Sequence, residues 1–115
     1  MLFLIPVAAK DEYQRTKEYL EQYQEAKRLH ETFPDKTSEE DLRTLTNIEK
    51  AFSTFLDEEM KQIMVYRYIK GNVNKVTVRH FAARGMSERT VERKLEAGIL
   101  VIANALLYCG QFDKK

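Results

Sequence analysis

The chain has one cysteine, two histidines, two prolines and four glycines among its 115 residues. A single thiol, Cys109, closes no intrachain disulfide and assembles no cysteine-based metal site, so a reducing, cytoplasmic setting is expected. With so few nucleophiles and bases, and no glycine-rich phosphate loop, no catalytic set is recognisable. The expectation is a protein that is not an enzyme and uses no cofactor or metal. Scarce glycine and proline leave little room for loops. Together with 43% hydrophobic and 32% charged residues, that scarcity suits a helix-rich chain with a modest core. Long apolar runs are also missing. Residues 1–9 are apolar but meet Lys10, too soon to span a bilayer, and no basic residues precede them as in a secretory signal. They read as an extended arm against the body or a second subunit, with no membrane role.

Net charge is only +1, but the charge is unevenly distributed. Residues 35–60 carry eight acids against three bases, a net of −5. Residues 61–94 carry nine bases against Glu88 and Glu92, a net of +7. A basic block after an acidic one is the electrostatic footprint of a nucleic-acid face.

Apolar spacing predicts all-α architecture. From Asp11 to about Thr32 there is no glycine or proline, and Tyr19, Tyr23, Ala26, His30 and Phe33 recur at helical intervals. Tyr13, Leu20 and Leu29 widen that stripe, and Pro34 ends it. Residues 1–36 therefore read as an arm and amphipathic helical extension. Thr37-Ser38-Glu39-Glu40-Asp41 is a helix start, with cap candidates before acids that complement the helix dipole. Leu42, Leu45, Ile48, Phe52, Phe55 and Leu56 carry its stripe. Asp57-Glu58-Glu59 repeats the start signal, and Gly71 marks the stop of the helix that follows.

Residues 76–95 then read as a short helix, a turn at Gly85-Met86, and a second helix capped by Ser87. That is a helix-turn-helix pattern, in which the second helix enters the major groove of DNA. On a helical wheel at about 100° per residue, Val91 and Leu95 share the inner face while Arg89 and Arg93 point away. Arginines one turn apart suit bidentate bonding to guanine edges or phosphates. Arg89 and Arg93 are the candidate base contacts, with Thr90 and Glu92 on the flanks adjusting preference. Lys75, Thr77, Arg79, Arg84 and Ser87 are the candidate phosphate contacts, since most protein–DNA hydrogen bonds go to the backbone.

Ala97 to Tyr108 is apolar except for Gly98 and Asn104, so a long apolar C-terminal helix is expected, buried on nearly all sides. Leu100, Val101 and Leu107 lie on a second side that the DNA-binding unit does not obviously cover. The first helix or a second subunit must cover them, and an oligomer interface, of a dimer above all, is expected at these residues. Cys109 at the end of this helix reads as a small buried hydrophobe. Residues 37–110 form the DNA-binding domain on this reading, and 111–115 a frayed tail.

Phe55-Leu56-Asp57, Met60, Ile63, Arg67-Tyr68-Ile69-Lys70-Gly71 and Ser87-Glu88-Arg89-Thr90-Val91-Glu92-Arg93 resemble the C-terminal DNA-binding domain of bacterial sigma factors. A short version with an N-terminal helical extension is similar to phage transcriptional regulators of the autolysin regulatory protein family. The resemblance covers residues 55–107. It implies a phage or prophage regulator that binds double-stranded DNA, with RNA polymerase as a further partner. Phe81 and Arg84 depart from the small residue and leucine usual at those places, which predicts an altered angle between the two helices. Two alternatives stand beside this reading. One is a small terminase subunit that marks viral DNA for packaging; the other is a helical adaptor that binds no DNA.

Overall fold

The computed structural model describes residues 7–112. They form α1 (Lys10–Thr32), α2 (Glu39–Phe55), α3 (Glu58–Met64), α4 (Asn74–Ala82) and α5 (Glu88–Tyr108), with no strand among the described residues. A 3-10 turn, Pro34–Lys36, joins α1 to α2, and a π-helical turn, Val65–Ile69, extends α3. The chain is all-α. No helix among the described residues is long and apolar enough to cross a membrane.

Short polar side chains start three of the helices by satisfying N–H groups that have no partner in the first turn. Ser38 Oγ accepts from Asp41 N at 3.0 Å, an Asp57 carboxylate oxygen from Met60 N at 2.8 Å, and Ser87 Oγ from Thr90 N at 3.1 Å. The predicted starts of α2, α3 and α5 therefore coincide with real caps.

α5 is the axis of the molecule, because α1, α2, α3 and α4 all pack against it. Val91, Ile102 and Leu106 on α5 are fully buried, as are Ile63 and Met64 on α3. Gly98 makes the α3–α5 crossing possible. A Cβ there would lie 2.7 Å from Met64 Cγ and Sδ, closer than real side chains tolerate.

α1 belongs to this core rather than standing apart from it. Leu20 and Tyr23 share one hydrophobic cluster with α2, α3, α4 and α5, so a boundary at residue 36 does not divide the packing. The outward end of the predicted stripe is different: Leu29 and Phe33 are about half exposed. Tyr23 Oη donates to Glu49 Oε2 at 2.6 Å and Lys27 Nζ reaches the same oxygen at 2.5 Å, tying α1 to α2. Burial works against the Glu49 charge, but these two hydrogen bonds outweigh it and hold the carboxyl below its ordinary value. The stabilisation is therefore complete above the ordinary carboxylate range and is lost as pH falls through the depressed value. Burial first, then the Glu49 contact, pushes the Tyr23 phenol well up, so it stays a neutral donor.

The C-terminal segment corrects the expectation of fraying at 111–112. Gly110 takes φ +80°, and Gln111 N donates to Leu106 O at 2.9 Å, which turns the chain back across the bundle. Gln111 then bonds Thr44 Oγ1 at 2.7 Å and Asn47 Nδ2 at 2.8 Å. Phe112 is buried, stacked on Tyr19 at 6.2 Å with the Arg15 guanidinium 4.8 Å from its centroid. Residues 113–115 lie outside the described residues, and so do residues 1–6 of the expected arm. Of the arm's remainder, Ala8 N donates to Asn104 Oδ1 of α5 at 2.7 Å. Cys109 is exposed rather than buried, because α5 ends there with its thiol outside the core.

Among the described residues one buried side-chain oxygen has no partner: Thr16 Oγ1, on a fully buried residue of α1. A closed-off hydroxyl keeps its desolvation cost without a compensating bond. Thr16→Val replaces it by a methyl of similar size and is expected to stabilise the chain by about 1 kcal/mol. Denaturant melts of the two proteins, compared at equal slope, measure the difference.

Candidate nucleic-acid interface

α4, the turn after it and the first half of α5 bring the predicted residues together. α4 closes in a left-handed turn: Gly85 N donates to Ala82 O at 3.0 Å and Met86 N to Phe81 O at 3.2 Å. Gly85 takes φ +97°, and nothing lies within 4 Å of where its Cβ would be. Glycine is needed there for backbone conformation, not for space. Two residues later Ser87 caps α5, and its hydroxyl also bonds Thr90 Oγ1 at 2.8 Å. Phe81, one of the departures from the resemblance, is buried against Tyr66, edge to face at 5.6 Å, while Arg84 is exposed in the turn.

Eight of the nine residues of the basic block sort into two groups, and the ninth, Lys61, is half-buried with no ion pair among the described residues. Arg67 and Lys94 hold the fold together. The Arg67 guanidinium donates to Asn74 Oδ1 at 2.5 Å and Asn72 O at 3.3 Å, and lies 4.4 Å from the centroid of the Tyr68 ring. Lys94 pairs with Glu59 at 2.9 Å, and that hydrogen bond raises its ammonium above the ordinary value. Lys70, Lys75, Arg79, Arg84, Arg89 and Arg93 are exposed, and none forms an ion pair among the described residues. Five of these six follow the path α4, turn, α5. Lys75 and Arg79 stand one turn apart on α4, and Arg89 and Arg93 one turn apart on α5.

Three of the predicted contacts sit differently. Thr77 is fully buried and its hydroxyl donates to Val73 O at 3.0 Å, so it holds no phosphate. Its place on the inner face of α4, beside Val78 and Phe81, is the reason. Thr90 is half-buried with its hydroxyl engaged by Ser87. Glu92 is exposed but lines a cleft with Tyr13 and Tyr68, turned toward α1.

The expected oligomer face is mostly covered within the chain. Val101 and Leu107 are half-buried and pack on the core, and α1 lies along α5. Only Leu100 of the three is exposed, at 37%. Val101 and Leu107 therefore need no second subunit to cover them. What spacing on one helix could not show was that α1 and α5 share a long contact. Among the described residues, no group of three or more His, Cys, Asp or Glu is placed to hold a metal ion.

No protein-family model, curated protein or solved structure matches the chain.

Proposed function

We propose that the chain is a DNA-binding transcriptional regulator, phage or prophage encoded, that reads the major groove with the helix starting at Ser87. One observation supports this above the others: exposed cations, with no ion pair among the described residues, follow two helices joined by a tight glycine turn. Arg89 and Arg93 meet base edges on this reading, while Lys75, Arg79, Arg84 and the α5 N-terminus meet phosphates. A titration of duplex DNA over a range of salt tests it. Affinity is expected to fall steeply with salt, because each phosphate neutralised by Lys or Arg releases counterions. Absence of duplex binding at low salt would sink the reading in favour of a protein adaptor.

Pairing of two copies on DNA belongs to the same proposal, since two half-sites one helical turn apart multiply affinity. With Leu100 the only exposed member of the expected interface, the protein contact is small. Sedimentation is expected to give a monomer without DNA and two copies on one duplex with it. A ring-sized mass without DNA would move the reading to a packaging subunit.

A further inference from the structure

A cleft of about 330 Å³ opens between α1, the π-helical turn and the middle of α5. Its floor is Leu95 and Ile99, and both are buried core residues. Glu92 and Glu96 stand one turn apart on its α5 wall, facing Tyr13 of α1 and Tyr68 of the π turn. Neither carboxylate has a cation within ion-pair distance among the described residues. Lys17 also lines the cleft without pairing to them, which leaves the site with a net charge of −1.

Tyr68 shows that this is more than an acidic surface. The residue is 3% exposed, yet its hydroxyl makes no hydrogen bond among the described residues. Among the described residues Thr16 Oγ1 is the one side-chain oxygen sealed off without a partner, so the Tyr68 hydroxyl keeps some open space beside it, and the residue lines the cleft. One face of its ring is occupied by Arg67, whose charge is already committed to Asn74, Asn72 and Glu21. Burial raises the Tyr68 phenol against the opposing pull of Arg67, and burial followed by Glu96 raises Tyr13, so both phenols remain neutral.

We propose that this cleft binds a short aliphatic primary amine. The ammonium would sit between Glu92, Glu96 and the Tyr68 hydroxyl, giving its three N–H donors three oxygen acceptors. The alkyl chain would lie on Leu95 and Ile99, as small-ligand sites combine an apolar floor with a few polar groups. An organic cation fits better than a bare calcium ion, which takes six to eight oxygen ligands where this site offers two carboxylates. The proposal does not depend on DNA binding, because the amine meets the free protein.

The test is a nuclear magnetic resonance titration of the full chain with cadaverine, beside potassium chloride at equal ionic strength and propionate. Saturable shifts of the Tyr13 and Tyr68 ring signals and of the Glu92–Ile99 amides are expected with cadaverine alone. The double variant E92Q/E96Q should weaken binding by at least about tenfold, since it removes both charge-assisted bonds. Both positions are exposed, so folding is not at stake. Tyr68→Phe, which keeps the cleft's shape, should weaken it by a smaller factor. Linear shifts without saturation, equal shifts from potassium chloride, or unchanged binding by the double variant would overturn the proposal. So would a Lys17 ammonium found already bonded to Glu92 and Glu96.

Discussion

Leu20→Ala is expected to lower the stability of the entire chain by about 2–5 kcal/mol, within a single cooperative transition. Leu20 is 1% exposed and sits on the second turn of contact between α1 and the shared core. Truncating it removes transfer energy and leaves a cavity that rigid helices on several sides cannot fully close. The size of the effect matters less than its reach. If α1 were an appended extension, the variant would melt residues 10–32 early and leave the rest unchanged. Hydrogen exchange resolves the two outcomes residue by residue. Loss of protection at Ile102 and Leu106 in step with α1 is expected, and unchanged protection there would show that α1 is separable.

Arg89→Ala and Arg93→Ala are expected to cost about 1–3 kcal/mol each in specific DNA binding, and to relax preference at one base position apiece. Both side chains are exposed on the outer face of α5 and neither braces the fold, so the loss would report on the contact itself. Lys75→Ala and Arg79→Ala should instead weaken all sequences alike and flatten the salt dependence by roughly one counterion each. Competition between selected and random duplexes, repeated at two salt concentrations, separates the classes. Equal losses on selected and random DNA for the Arg89 and Arg93 variants would move those residues to the phosphate set. Lys94→Ala makes a useful contrast. Its charge is engaged by Glu59, so its loss should register in melting before it registers in binding.

Local signals in the sequence match the structure at the helix starts and at the Gly85 turn, where chemistry within a few residues decides the outcome. Ser38, Asp57 and Ser87 were recognisable as caps, and Gly85 as a turn, because each satisfies or relieves its own backbone. The exposure of Arg89 and Arg93 followed from their position opposite Val91 and Leu95. What escaped was decided between distant segments. Thr77 looked like a surface hydroxyl among bases, but α4 turns that face inward and its hydroxyl bonds its own helix. Phe112 looked like part of a polar tail until Gly110 swung it onto Tyr19 and Arg15 of α1. Val101 and Leu107 seemed unpartnered for the same reason: single-helix periodicity does not say which other helix lies alongside. The cleft at Glu92 and Glu96 needed three elements to meet, so no single stretch announced it.

α5 runs without interruption from Glu88 to Tyr108, and the consequence is mechanical. Twenty-one residues make a rod of about 31 Å at 1.5 Å per residue. Its outer end carries Arg89 and Arg93, while four other helices pack along it and its shaft is fully buried at Ile102 and Leu106. No hinge separates handle from tip. A turn of the shaft by one residue's step would swing the arginines through about 100°, so their aim is only as good as the grip on the shaft. A methyl lost near Leu106 could thus blur the aim of a side chain some 25 Å away, by the same rise per residue, without touching it.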